Sequence, residues 1–215
     1  MFKVIIRSLS TPNITTNRGA HQRYLPPGTC GTLRLNGLRA LHPSQPMPRP
    51  PKHCLHCGAQ LAPTTTDEGL TRLACPDCGW IHYGNPTPVV AGLVEHEGDV
   101  LLVRNKGWPE TWYGLVSGFL EAREEPAAGM LRELREELGL EGEIVGLIGV
   151  YAFEMRNELI VAYHVQATGE VVVGDELAGV KRVPPEKLRP WPMGTGLAVR
   201  DWLLARGLLK ADEGG

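Results

Sequence analysis

No apolar run in this 215-residue chain approaches the roughly 18–20 residues that a bilayer crossing needs, which excludes a membrane-spanning helix. Cysteine is scarce as well. Four of the 5 fall in one short stretch and Cys30 stands alone, which argues against a disulfide framework and for a metal site in a reducing compartment. Residues 1–46 hold six Lys or Arg and no acid at all. They also lack any sustained strand or helix period. Val4-Ile5-Ile6 is too short for the apolar region of a secretory signal. Three readings of this segment stay open: a disordered tail, an organelle transit peptide, or residues that precede a true start at Met47. Removing those six from the 22 basic residues leaves residues 47–215 with 16 basic and 24 acidic side chains, a net of −8. A domain that acidic does not hold nucleic acid by default, so nucleic acid is not expected as a partner.

What remains is a globular composition, 42% hydrophobic and 21% charged, enough to bury a core of one ordinary domain plus a small module. Pro46-Met-Pro-Arg-Pro-Pro51 reads as a stiff linker. From Pro88 onward the pattern alternates. Pro88–Glu95 and Asp99–Arg104 flank Glu97-Gly98 as a hairpin. Further strands are expected at Trp112–Val116, Glu143–Tyr151, Glu158–Ala167 and Glu170–Val173, and helices at Glu125–Leu138 and Thr195–Arg206. The second helix is expected to bury Leu197, Val199, Trp202, Leu203 and Leu204. Strands interleaved with two helices predict a mixed sheet with helices packed on it.

Two patterns carry chemistry. Cys54-Leu-His-Cys57 and Cys75-Pro-Asp-Cys78 are each followed by glycine, Gly58 and Gly79, as the tight turn around a shared ion requires. Four thiolates complete a tetrahedral zinc shell with no open position, so the site is expected to be structural. His53, His56 and His82 then have no ligand role and read as lone surface histidines.

The second pattern is the stretch from Gly118 to Leu140. Pro126 suits a first helical turn, Glu124 and Glu125 complement its N-terminus, and Gly139 is placed to end it. At helical spacing Ala127, Leu131, Leu134 and Leu138 share one face, while Glu133, Glu136 and Glu137 share the opposite one. Like charges so placed repel by a few tenths of a kcal/mol per pair, offset in part by Arg132 and Arg135. A solvated acidic face is one reading. A bound hard cation is the other, since it turns that repulsion into a site. Gly129 on the same face leaves room for a loop or ligand to come close.

Gly118, Glu124, Arg132, Glu133, Leu134, Glu136, Glu137, Gly139 and Leu140 fill the pattern Gly, five residues, Glu, seven residues, Arg-Glu-U-x-Glu-Glu-x-Gly-U, with U a bulky aliphatic. In this the chain resembles the Nudix hydrolases. The resemblance implies an α/β/α Nudix sandwich, an α+β fold with a mixed sheet, over 88–206. A linker and four-cysteine zinc ribbon would occupy 47–87, between the extension 1–46 and a tail at 207–215. It implies attack by water on one phosphorus of a P–O–P linkage in a nucleoside diphosphate derivative such as NAD(H) or ADP-ribose, with Mg2+ or Mn2+ for catalysis and Zn2+ for structure. Glu136 and Glu137 would be metal ligands, with Glu133 as third ligand or general base. Gly118 and the later Glu176 would belong to the same metal site. Arg132 would orient a carboxylate, and Glu124 would fix the loop.

The ribbon, the junction Ile81–Pro88 and Ser117-Gly-Phe119-Leu-Glu121 resemble the NADH pyrophosphatase branch. That resemblance implies a homodimer in which Tyr83 crosses to stack on the partner's substrate with Phe119. Glu121 and Arg104 are weaker candidates for the cleft. The alternative for the two rings is simple packing between ribbon and sheet. The branch's Ser-Gln-Pro-Trp-Pro-Phe-Pro run is missing, for Ala152-Phe-Glu-Met-Arg-Asn-Glu-Leu159 stands there. The expected location is cytoplasmic, or an organelle if residues 1–46 are a transit peptide. The reading from a different class is a nucleotide-binding regulator without turnover, which an intact carboxylate set disfavours.

Overall fold

The computed structural model describes residues 50–210; the expectations for residues 1–46, and for the last residues of the tail, lie outside them. Three short strands open the described chain: β1 (Ala62–Thr65), β2 (Thr71–Ala74) and β3 (Ile81–His82), paired antiparallel in that order. They stand on the two cysteine turns. In each turn the glycine takes a left-handed conformation, Gly58 at φ 78° and Gly79 at φ 75°. Its N–H returns to the first cysteine's carbonyl, at 2.9 Å for Gly58 to Cys54 and 3.0 Å for Gly79 to Cys75. Cys54, Leu61 and Cys75 are buried, with Ala59, Leu73 and Trp80 packed against them. So small a core needs another tie to be stable, and an ion held by the four thiols would supply one.

The larger sheet is built around β4 (Thr87–His96), nearly every residue of which is buried. One edge of β4 pairs in parallel with β8 (Glu158–Thr168) along its whole length. The other edge is shared. Val94 to His96 pair with β5 (Asp99–Asn105), and Val89 to Gly92 pair with β6 (Val116–Phe119), both antiparallel. The hairpin between β4 and β5 turns at Glu97 and Gly98, both with positive φ, as a tight hairpin requires. Outside these lie the edge strands β7 (Glu141–Phe153), paired to β8, and β9 (Leu177–Val183), paired to β5.

Burial on both faces of β4 follows from two helices on opposite sides. Val89, Ala91 and Leu93 pack with Ala198, Val199, Trp202 and Leu203 of α2 (Gly196–Ala205). Val90 and Val94 pack with Met130, Leu134 and Leu138 of α1 (Pro126–Leu138). No described helix is long and apolar enough to cross a membrane.

Several expectations need correction. The strand expected at Trp112–Val116 begins at Val116 and runs through Gly118 to Phe119; Gly114 contributes only an isolated bridge to Val103. Glu170–Val173 is not a strand. Its amides instead close the end of α1, with Val172 N–H donating to Leu138 O at 2.9 Å and Gly174 N–H to Glu137 O at 2.8 Å. The strand lies further on, as β9. On α1, Met130 is buried where Ala127 and Leu131 are only half-buried. On α2, Ala198 is buried while Leu197 and Leu204 are half-exposed. A helix wedged on a sheet favours whichever side chain fits the space, not the most apolar one.

Candidate active site

Helix α1 presents its carboxylates because of how it begins and ends. Glu125 caps the first turn by accepting from Ala128 N–H at 3.0 Å, Pro126 opens the helix, and Gly139 closes it at φ 63°. Burial of Met130, Leu134 and Leu138 against the sheet fixes the rotation of the helix. Gly118 of β6 lies directly under Glu133, and a Cβ there would overlap the Glu133 carboxylate. Gly129 leaves the space that the Glu124 carboxylate and Leu120 occupy, each 2.9 Å from where its Cβ would be. The close approach expected at Gly129 is therefore made by the Gly118–Glu124 loop.

Arg132 is the hub of the cluster. Its Nε and Nη2 donate to the two oxygens of Glu124 at 2.8 and 3.0 Å, a bidentate fork. Its Nη1 donates to Glu133 at 2.7 Å and to Glu136 at 2.9 Å, and Nη2 also reaches Phe119 O at 3.1 Å. Glu124 in turn accepts from Glu121 N–H at 2.9 Å. These hydrogen bonds, Arg132 first, pull the Glu124 carboxyl down to about 2. It is a permanent anion that ties the loop to the helix. Arg135 does not relieve the cluster as expected; it pairs with Glu141 at 2.9 Å.

Glu137 is the exception on this face. It is 7% exposed, and its Oε2 is buried with no hydrogen-bond partner. Burial first, then the charges of Glu133 and Glu176, push its carboxyl up to about 8, although the Ser117 N–H acts the other way. Burial likewise raises Glu133, whereas Glu136 stands exposed. Glu176 arrives because the backbone at Gly174 passes against the end of α1, so closely that a Cβ would strike the Glu136 carbonyl. Sequence reasoning missed the Ser117 amide and the segment 171–174. The glycine before Asp175-Glu176 was the available signal for the latter.

A buried carboxylate oxygen without a partner, beside carboxylates whose charges raise its pKa, is an incomplete arrangement. Oxygen donors of this kind suit a hard divalent cation. Arg132 Nη1 holds Glu133 and Glu136 where such a cation would otherwise compete for them. The thiols are gathered more tightly. Cys54, Cys57, Cys75 and Cys78 place all four Sγ atoms within 4.8 Å of one another, and the spacing and chemistry fit zinc.

The remaining expected residues lie around this centre. Tyr83 is 59% and Phe119 55% exposed, so neither ring is packed away between ribbon and sheet. Arg104 on β5 donates from Nη2 to Ala178 O at 3.2 Å, and its Nε is buried without a partner. Glu121 is exposed at the loop tip, with its N–H held by Glu124. His56 and His82 are not lone histidines, for both lie against Trp80.

The family model described as NUDIX domain matches residues 85–200, and one described as Nudix N-terminal, a zinc ribbon, matches residues 52–84. A similar curated relative is the NAD-capped RNA hydrolase NudC of Pseudomonas aeruginosa, 28% identical over 159 residues, which cover 72% of this chain and 56% of that protein. The protein of the same name from Pseudomonas putida is 26% identical over 144 residues, 66% of this chain and 52% of that one. The chain thus spans about half the length of the curated relatives it matches. Their name includes an RNA substrate, so an acidic domain is no ground for excluding nucleic acid here. Among solved structures, a NUDIX hydrolase from Nitrosomonas europaea superposes with a TM-score of 0.61 at 26% identity, covering 73% of this chain and 93% of that one. A box filled at every fixed position, two helices flanking a mixed sheet and a domain match over 85–200 agree: the chain belongs to the Nudix hydrolase family, with a Nudix-type zinc ribbon before the domain.

Proposed function

We propose that the chain is a metal-dependent pyrophosphohydrolase acting on a nucleoside diphosphate derivative, with NAD(H), free or as the 5′ end of an RNA, and ADP-ribose as the leading candidates. The observation that carries this is Glu137, a buried carboxylate whose unpartnered oxygen sits beside Glu133 and Glu176. The names of the relatives support the substrate class.

Glu136 and Glu137 would hold Mg2+ or Mn2+, with Glu133 and Glu176 completing the oxygen donors and Gly118 leaving the space in which Glu133 lies. When bound, such an ion neutralises a diphosphate and lowers the pKa of water. The protein's own groups do the rest. Arg132 fixes Glu133 and Glu136 through one nitrogen and Glu124 through two, which sets the helix and loop at a constant separation. Glu133, half-buried and raised in pKa, would serve either as a third ligand or, if it stays off the ion, as the base that takes a proton from the attacking water. Arg104, with an unpaired buried nitrogen, faces the substrate's charge, while exposed Phe119 and Tyr83 offer stacking faces for a base. Glu121 at the loop tip lies close enough in sequence to contact the same nucleoside.

The acting unit is proposed to be a cytoplasmic homodimer in which Tyr83 serves the partner's pocket. Exposed Val145, Leu147, Val150 and Leu159 on β7 and β8 give the apolar surface an assembly would bury. Incubating the purified chain with NADH, NAD, ADP-ribose and a 5′-NAD-capped oligoribonucleotide, each with Mg2+ and with Mn2+, tests the reading. Release of two phosphate-bearing products from at least one of them is expected. Tight binding with no product from any of them would favour a regulator instead.

A further inference from the structure

The ribbon carries a row of rings that neither its thiols nor the diphosphate chemistry uses. His56, from the first cysteine turn, lies with its ring centroid 6.5 Å from that of Trp80, tilted by 38°. Trp80 follows the second turn, and the His82 ring on β3 lies 5.9 Å beyond it at 32°. Next in the chain, Tyr83 has the Arg72 guanidinium 4.9 Å over its ring, and Arg72 Nη1 donates to the Tyr83 carbonyl at 3.1 Å. Residues Gly79 to Asn85 line an open groove of about 480 Å³ along this row.

Trp80 packs against the ribbon core and stays only half-buried. Covering the rest for stability alone calls for aliphatic side chains, not an exposed imidazole and a half-exposed one. Contiguous flat rings suit unpaired bases, every one of which has a π-face. Charge points to stacking as the main attraction: residues 50–85 hold only Lys52 and Arg72 against Asp67, Glu68 and Asp77. A short, pinned connection follows the row. Asn157 Nδ2 donates to the carbonyls of Gly84 and Asn85 at 3.2 and 3.3 Å. The chain then enters β4, where Val89 and Val90 pair with Phe119 and Gly118.

We propose that His56, Trp80 and His82 form a stacking platform for single-stranded nucleic acid, taking the unpaired nucleotides that follow a diphosphate-linked 5′ end. The proposal rests on the diphosphatase reading of the Nudix site, and two separate readouts keep them apart. The first is fluorescence anisotropy of an unstructured, uncapped 5′-monophosphate oligoribonucleotide on the zinc-loaded full chain. The second is hydrolysis of a small dinucleotide.

His56→Ala combined with His82→Ala should weaken oligonucleotide binding roughly tenfold or more, the effect of losing a stacked base. Zinc content and small-substrate turnover should stay unchanged. Trp80→Phe, which keeps a flat ring on the ribbon core, should retain most of the affinity and abolish the binding-linked change in tryptophan emission. The salt slope should be shallow, about −0.7 per phosphate contact with one or two contacts. Oligonucleotide binding unaffected by the double variant, or no binding by the unaltered chain, would overturn the platform, even if the dinucleotide is hydrolysed normally. Platform-dependent binding with no hydrolysis of any dinucleotide would uphold it and reject the diphosphatase reading alone.

Discussion

The ribbon and helix α1 both crowd acidic side chains together, and they manage the crowding in opposite ways. In the ribbon, two glycine-closed turns bring four sulfurs within 4.8 Å, so the set is complete once an ion sits inside it. On α1, the Arg132 guanidinium pairs with Glu133, Glu136 and the loop's Glu124, while Glu137 is left with a buried oxygen that has no partner. The first arrangement has no room for a substrate, which suits a structural centre. The second is open on the solvent side, where Glu136 and Glu176 are exposed, and an ion held there, as proposed, would keep positions for water and phosphate. On the proposed reading, what separates structure from chemistry is whether the ligand set is closed, and variants of either set should fail in different ways.

The largest effect is expected at Glu137. Glu137→Gln keeps the shape and removes the charge, and turnover should fall by about three orders of magnitude or more while the circular dichroism spectrum is unchanged. Cys75→Ser should fail through the fold instead. Zinc measured by elemental analysis should drop from about one per chain toward zero and the ribbon should lose its fold, while Cys30→Ser leaves zinc unchanged. Leu134→Ala, fully buried between α1 and β4, should cost roughly 2–5 kcal/mol in denaturant unfolding. Arg132→Lys keeps a charge but cannot fork, so metal affinity by titration calorimetry should fall about 10–100-fold, with little loss of stability.

The smallest effect is a pH dependence. Burial holds the Glu137 carboxyl at about 8 in the metal-free chain, against roughly 4.3 when unfolded. Between those values the native state binds more protons than the unfolded one, so this group's contribution to stability falls as pH rises. Binding of a cation displaces that proton. The rise in melting temperature caused by Mg2+ should therefore grow from about pH 6 to about pH 8, and the growth should vanish in Glu137→Gln. A rise independent of pH would place the cation elsewhere.

Much of this was legible in the sequence, for reasons that differ by element. The helix from Pro126 to Leu138 and its stop at Gly139 followed from local chemistry alone, as did the Glu97-Gly98 hairpin and the two cysteine turns. The resemblance at the box supplied the family. The burial of Glu137 was not legible, because helical spacing put it beside Glu133 and Glu136 and cannot show that β6 and the segment 171–174 cover it. Strand β9 was missed because Gly179, Lys181 and Arg182 interrupt its alternation. An edge strand with one neighbour can afford this, and charge there also protects the edge. Val171-Val-Val173 was misread for the opposite reason, an apolar run whose amides serve a helix end.

The central claim is that the carboxylate face of α1 hydrolyses a diphosphate. Its most direct test is turnover in heavy-oxygen water, with product phosphates examined by mass spectrometry. On whichever dinucleotide the chain cleaves, one heavy oxygen should enter a phosphate of one product per cleavage, only when Mg2+ or Mn2+ is present, and Glu137→Gln should abolish it. Unlabelled products, or labelling that persists in Glu137→Gln at the full rate, would contradict the account.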